Sequence, residues 1–207
     1  GKSSLAHAIM GHPRYQIAQG KILFDKKDIT ALPVHERARL GLFLSFQYPL
    51  EIAGVTVTNF LRSAYQAVSG KEISVVDFYT LLKEKMKLLG IDSSFSKRYV
   101  NAGFSGGEKK KMEMLQMSVL QPKIALLDEV DSGTDVDALK IIAQSVAQMK
   151  SPSFGALVIT HYQRMLDYVI PDEIHVMVDG KIVHSGGKEL AHDIEKQGYD
   201  FLREVKA

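Results

Sequence analysis

Three short stretches hold side chains whose types and spacing could handle a chain of phosphates. Gly1-Lys2-Ser3-Ser4 matches the closing third of a phosphate-binding loop, GxxxxGK[ST]. In such a loop, glycines let backbone N–H groups face phosphate oxygens. The lysine reaches the β- and γ-phosphates, and the hydroxyl joins a Mg²⁺ shell. A helix entered directly afterwards adds its positive dipole end to the same anion. Ile124-Ala125-Leu126-Leu127-Asp128-Glu129 runs four apolar residues into two carboxylates. Ligands in open parallel sheets gather beyond the carboxyl ends of strands. Asp128 would there assist Mg²⁺ through water, and Glu129 would polarise an attacking water as general base. In Phe104-Ser105-Gly106-Gly107-Glu108, Ser105 and Glu108 form a capping box, which accounts for both without any ligand. It does not account for two successive glycines, whose bare amides at a helix head suit a phosphate.

Positioning these residues requires strands and helices in alternation, and the hydrophobic pattern supplies them. Ser3–Met10 reads as a helix leaving a glycine turn, and Lys21–Phe24 as a short strand before a turn-like Asp25-Lys26-Lys27-Asp28. Pro33–Leu40 reads as a short helix and Leu42–Phe46 as a buried strand. Apolar residues then recur at helical spacing in Val57–Val68 and Val76–Leu89, with Gly90 as a C-cap. Gly107–Leu120 is a helix stopped by Pro122. Ile124–Leu127 and Ala156–Ile159 are buried strands on either side of the helix Ala138–Met149. Ile174–Val178 and Lys181–His184 resemble a hairpin around Asp179-Gly180, and Gly187–Ala207 a helical tail. Buried strands alternating with helices predict an α/β fold: a mainly parallel sheet covered on both faces, with a helical subdomain inserted after Pro49.

Composition narrows the classes. A hydrophobic content of 45% against 24% charged residues fits a chain with a core to bury rather than a disordered one. The net charge of +2 offers no electrostatic case for nucleic acid. No apolar run of about 18 residues appears, so direct membrane insertion is not expected. Cysteine is absent, which fits a cytoplasmic location and excludes both disulfides and thiolate ligands for an iron–sulfur cluster. Met112, Met114 and Met117 read as packing. Lys109 to Lys111 read as solvated. The seven histidines show no HExxH spacing, and no serine sits in GxSxG.

The ordered set GKSS, Phe46-Gln47, SGGE, LLDE, Ser132-Gly133-Thr134-Asp135 and Thr160-His161 resembles the nucleotide-binding domain of ABC ATPases. The resemblance covers essentially the whole chain. It implies a P-loop NTPase core at 1–47 and 122–207, a helical subdomain at 48–121 that includes the SGGE helix, and Mg²⁺-dependent ATP hydrolysis. It further implies a head-to-tail dimer with a second copy. Each ATP then lies between Gly1, Lys2, Ser3 and Ser4 of one copy and Ser105, Gly106 and Gly107 of the other. Gln47 resembles the glutamine that senses Mg²⁺ and the attacking water. His161 resembles the histidine that contacts the γ-phosphate, and Asp135 the aspartate that crosses the dimer interface. Ser3, Gln47 and Asp128 would face the metal; Glu129, His161 and Gln47 would serve hydrolysis.

Within that group, Phe46-Gln47-Tyr48-Pro49, Glu51-Ile52-Ala53-Gly54-Val55, the run Phe104 to Lys110 and Thr160-His161-Tyr162-Gln163-Arg164 look like the ATPase of SUF iron–sulfur cluster assembly. Such a subunit is expected to work with SufB- and SufD-like scaffold proteins rather than a membrane-embedded partner. Thr134 stands where that family usually has leucine, and Lys111-Met112 where it usually has Arg-Asn. The strand ahead of the phosphate loop, the loop's first part and the aromatic that stacks on adenine are expected upstream of Gly1. Two alternatives remain at this level: the ATPase subunit of a membrane transporter, and a partner-binding fragment that does not hydrolyse ATP.

Overall fold

The computed structural model describes residues 1–132, 136–160, 163–190 and 196. Helix α1 (Lys2–Met10) leaves Gly1 directly. Strands β1 (Leu23–Phe24) and β2 (Lys27–Asp28) form a hairpin, because Asp25 and Lys26 both take positive φ. The turn-like segment expected there is thus half strand. Helix α2 (Val34–Leu40) starts after Pro33 and delivers the chain through Gly41 to strand β3 (Leu42–Ser45).

Strand β4 (Ile52–Thr56) opens the next block, and helices α3 (Val57–Ser69) and α4 (Val75–Leu88) follow it. Thr56 and Ser74 cap these helices with their hydroxyls. Strand β5 (Tyr99–Val100) returns antiparallel to β4, so this stretch is not purely helical. Neither strand is visible as a period-2 pattern: β4 is largely exposed and β5 has two residues. Helix α5 (Gly106–Leu120) leads to strand β6 (Ile124–Asp128), and helix α6 (Val136–Met149) to strand β7 (Gly155–Ile159). Helix α7 (Gln163–Tyr168) precedes the hairpin of β8 (Ile174–Val178) and β9 (Lys181–Gly186), turned at Asp179-Gly180 as expected. Beyond Leu190 the expected helical tail lies outside the described residues, apart from Lys196.

The central sheet is parallel, in the order β3-β6-β7. Its near-continuous apolar runs are required because both faces are covered. Leu42, Leu44, Leu126 and Ile159 pack with Ala6 and Met10 of α1 on one face. Phe43, Ala125 and Leu127 join a larger cluster that takes in Leu61, Phe78, Met112, Met114 and Met117 on the other. The methionines are therefore core, each fully buried. Burying a side chain such as Leu126 or Leu127 contributes about 1.5–3 kcal/mol. Among the described residues no helix is long and apolar enough to cross a membrane.

One buried cation fixes the far end of α1. Gly11 turns the helix off at φ 79°, and its N–H and that of His12 bond to Ala8 and His7 carbonyls. Arg37, only 2% exposed, then reaches in from α2. Its Nη1 donates to Ala8 O at 2.9 Å and Ile9 O at 2.7 Å, its Nη2 to Thr30 O at 2.7 Å and its Nε to Leu32 O at 2.8 Å. Burial pulls its pKa below the ordinary guanidinium value. The negative dipole end of α1 offsets that cost. A side chain on Gly11 would put its Cβ 2.8 Å from Arg37 Nε, so glycine is needed there twice over. Replacing Arg37 by lysine leaves a point charge that cannot span four carbonyls. The expected loss is about 2–3 kcal/mol of unfolding free energy. Urea denaturation checks this, and an unchanged midpoint would show that the fork is dispensable.

Candidate active site

Strand register assembles the site. Ser45 on β3 lies opposite Leu127 on β6. Two residues further on, Gln47 and Glu129 are neighbours, and the Gln47 amide donates to the Glu129 carboxylate. On the other side of β6, Asp128 pairs with Ile159, and the Glu129 N–H bonds to Ile159 O at 2.9 Å. This places Thr160, whose hydroxyl donates to Asp131, beside the same strand end. Asp128 is 1% exposed. Its Oδ1 accepts a 3.0 Å hydrogen bond from Ser3 Oγ in the first turn of α1. The GKSS turn and the LLDE strand end therefore meet.

Glu129 has φ 47°, a left-handed conformation uncommon for a residue with a side chain. Such a conformation costs about 1–3 kcal/mol and is retained where surroundings hold it. Here the neighbours holding it are Ile159 O and the Gln47 amide. No side chain caps the head of α1, where Gly1, Lys2 and Ser4 are exposed. The turn between β8 and β9 backs this end: a Cβ on Gly1 would lie 3.3 Å from Gly180 Cα and 3.4 Å from Met177 Sδ. Open amides, a lysine and a positive dipole end thus face outward beside two carboxylates.

The donor set suits a hard cation. Ser3 Oγ and Asp128 Oδ1 are hydrogen-bonded oxygens, and Gln47 pairs with Glu129, the residue after Asp128. Among the described residues no cluster of three or more histidine, aspartate or glutamate side chains gathers. Mg²⁺ is the ion usually held by one or two carboxylates, with water and phosphate oxygens completing its shell.

The SGGE segment heads α5 as expected. Ser105 Oγ accepts from Glu108 N at 3.2 Å, and Glu108 Oε2 accepts from Ser105 N at 2.8 Å. Arg98 adds what the sequence did not show. It pairs with Glu108, donates to Gly103 O at 3.3 Å and covers the Phe104 ring at 4.2 Å. The Arg98 hydrogen bond holds the Glu108 carboxyl below its usual pKa. A Cβ on Gly107 would meet nothing within 4 Å, so packing inside this chain does not demand a glycine there.

Asp135 and His161 lie outside the described residues, as do Gly133, Thr134 and Tyr162. Lys110, read from sequence as solvated, is instead 5% exposed. Its Nζ pairs with the buried Glu113 at 3.2 Å. The Lys109–Lys111 run misled because α5 is covered on more than one face, and a lysine in such a helix must be paired. Glu113, three residues on, was the available signal.

Comparison with known proteins identifies the group. The profile described as ABC transporter matches residues 1–132. The chain belongs to the ABC transporter family. It is an ATP-binding cassette ATPase, with the parallel-sheet α/β core of P-loop NTPases. Vegetative protein 296 of Bacillus subtilis (strain 168) is 52% identical over 99% of this chain and 79% of its own length. A Synechocystis protein named as a probable ATP-dependent transporter is 53% identical, over 99% of this chain and 81% of its own. Among solved structures, a bacterial ABC transporter cassette described as dimeric superposes with TM-score 0.77 at 17% identity, covering 90% of this chain and 80% of that one. An ATP-binding cassette of an ABC transporter gives 0.74 at 23%, over 100% of this chain and 83% of that one.

Ser3→Ala removes the hydroxyl that ties α1 to β6. The expected result is a roughly tenfold loss in the affinity that Mg²⁺ adds to ATP binding, equivalent to one charge-assisted hydrogen bond, with little change in EDTA. Titration of a fluorescent ATP analogue with and without the metal checks it. Equal losses in both conditions would count against a place for Ser3 in the metal shell.

Proposed function

We propose that this ATPase uses a Mg²⁺-dependent cycle, shared between two head-to-tail copies, to reshape a soluble SUF-type scaffold during iron–sulfur cluster assembly. The observation that carries the hydrolytic part is the meeting of Ser3 with Asp128 and of Gln47 with Glu129 at the end of one buried strand. Mg²⁺, when bound, neutralises charge on the β- and γ-phosphates. Ser3, Asp128 and Gln47 would hold it. Lys2 and the first amides of α1 bind the phosphate chain, while Glu129 orients and accepts the proton of an attacking water. The partner copy brings its SGG segment over the same nucleotide. The unexplained glycine at 107 supports that reading, because open space in front of it admits another molecule. Asp135 and His161 complete the site in this reading, at the interface and at the γ-phosphate. Residues 48–121 act as the inserted helical subdomain that carries the SGG segment.

Hydrolysis in such a site is positioning and charge stabilisation, since no protein atom bonds to the phosphoryl group. Half of each site belongs to the other copy, so a lone chain turns over slowly and partners that pair two copies accelerate it. The SUF assignment rests on local sequence: the FQYP, EIAGV, FSGGEKK and THYQR segments. The absence of cysteine supports an indirect role, since thiolates usually hold clusters. Phe46, Tyr48 and Leu50, which are 44%, 79% and 83% exposed, supply apolar surface for a partner just after Gln47.

The names of several relatives, given as probable ATP-dependent transporters, favour a second reading, in which the same cassette drives a membrane transporter. The hydrolytic residues are indifferent to that choice. Affinity purification of the native protein separates the readings: SufB- and SufD-like soluble proteins are expected to copurify, and capture of an integral membrane protein instead would overturn the scaffold assignment.

Glu129→Gln removes the base and retains a hydrogen-bonding side chain. The variant is expected to bind ATP, accumulate as a dimer on gel filtration with MgATP, and lose at least about 100-fold in turnover, the lower end of what a general base contributes. Hydrolysis at the parent rate would remove Glu129 from the base role.

A further inference from the structure

The buried ion pair on α5 closes a polar ring around the backbone N–H and C=O of Phe46, in the segment that carries Gln47. Phe46 N donates to Glu113 Oε1 at 2.6 Å. Lys110 Nζ donates to Glu113 Oε2 at 3.2 Å, to Phe46 O at 3.1 Å and to Gln47 O at 3.5 Å. All three ammonium protons have an acceptor, and both carboxylate oxygens have a donor. Lys110 and Glu113 are 5% and 2% exposed, in a helix whose other buried positions include Met112, Met114 and Met117. Burial pushes the Glu113 carboxyl upward in pKa, and Lys110 opposes that push by favouring the charged form.

A helix buried among apolar residues gains little stability from a charge pair, because desolvation cancels most of the attraction. Lys110 and Glu113 do, however, hold both polar groups of residue 46 and the carbonyl of residue 47. The Gln47 side chain, on the next bond along, reaches Glu129. The SGG segment heads the same helix, within five residues of Lys110 in sequence.

We infer that Lys110 and Glu113 are positioning residues for hydrolysis. They clamp the Phe46–Gln47 backbone to α5, so that the Gln47 amide meets Glu129 only when α5 and the strand end of β6 are in the arrangement seen here. Because α5 also heads the segment that meets the second nucleotide, the clamp ties the orientation of one site's glutamine to the helix that serves the other. This inference rests on the proposed roles of Gln47 and Glu129.

The test is made on the full-length protein. The double variant Lys110→Met with Glu113→Leu replaces the pair by apolar side chains of similar volume, a change that buried ion pairs often tolerate. Gln47→Ala serves as the reference for the site itself, and Lys110→Arg as the conservative variant that retains charge and donors. The double variant is expected to lose at least about tenfold in single-turnover hydrolysis while its ATP Kd stays within about twofold. In the nucleotide-free protein its Phe46 amide is expected to exchange with deuterium at least about tenfold faster, while amides in β6 keep their protection. Lys110→Arg is expected to recover most of the rate. If Gln47→Ala is impaired and the double variant hydrolyses at the parent rate, the clamp is overturned and the site reading survives. If Gln47→Ala is itself unimpaired, the site reading falls and takes the clamp with it. Should the double variant prove too unstable to assay, Glu113→Gln gives the same comparison, because it keeps the Phe46 acceptor and loses the ionic partner. A rate that falls while the Kd rises in parallel in that variant would mark the pair as structural only and overturn the inference.

Discussion

A parallel strand slipped by one residue against its neighbour would turn each of its side chains to the opposite face, and the site in this protein depends on that not happening. With Ser45 opposite Leu127, Gln47 stands next to Glu129. With Asp128 opposite Ile159, the Glu129 amide finds the Ile159 carbonyl. Apolar burial fixes that register. Leu42, Leu44 and Leu126 must face α1, while Phe43, Ala125 and Leu127 must face the large cluster under α5. A slip would exchange the two sets and leave neither core filled. The hydrophobic pattern of the strands therefore sets the geometry of the polar groups just past their ends.

Helix α1 lies across this sheet with both of its ends used. Its head presents open amides and the Ser3 hydroxyl, which is bound to Asp128. Its tail is closed by Gly11 and by the Arg37 guanidinium, which satisfies carbonyls the helix itself cannot. A helix whose carboxyl end is neutralised by a buried cation has a fixed axis, and its amino end then aims at one place. The β8–β9 turn at Gly180 abuts that amino end from the other side. The anion-binding end is thus held by groups that never touch an anion.

Much of this was legible in the sequence because it follows from local rules. The runs read as buried strands, Leu42–Phe46 and Ile124–Leu127, fold as strands over Leu42–Ser45 and Ile124–Asp128, the Asp179-Gly180 turn closes the expected hairpin, and Ser105 with Glu108 caps a helix. The pairings Ser3–Asp128 and Gln47–Glu129 were reachable only through a resemblance, since 125 and 82 residues separate the partners. What escaped was of two kinds. Strands β4 and β5 are short and exposed, and their ladder is set by the helices they bracket rather than by their own pattern. Lys110 and Arg98 escaped because a lysine or arginine in a charged run looks the same in sequence whether it meets water or a buried carboxylate. Only the tertiary position of α5 separates the two cases.

That distinction bears on how an ATPase of this kind can be both stable and responsive. An all-apolar contact between α5 and the Phe46–Gln47 segment would be as strong, but it would tolerate sliding along the contact, because the hydrophobic effect is non-directional. Hydrogen bonds to both the N–H and the C=O of Phe46 are not indifferent: they weaken steeply with angle and distance. A buried pair that gains little in stability can still reject near-alternatives, since any displaced arrangement leaves an unpaired charge in an apolar surround. The clamp therefore gives two stable conditions rather than a continuum. Either the ring at Phe46 is closed and Gln47 reaches Glu129, or α5 has moved far enough for water to enter and satisfy Lys110 and Glu113 separately. A contact with that property suits a segment that has to report the position of a helix to a carboxylate.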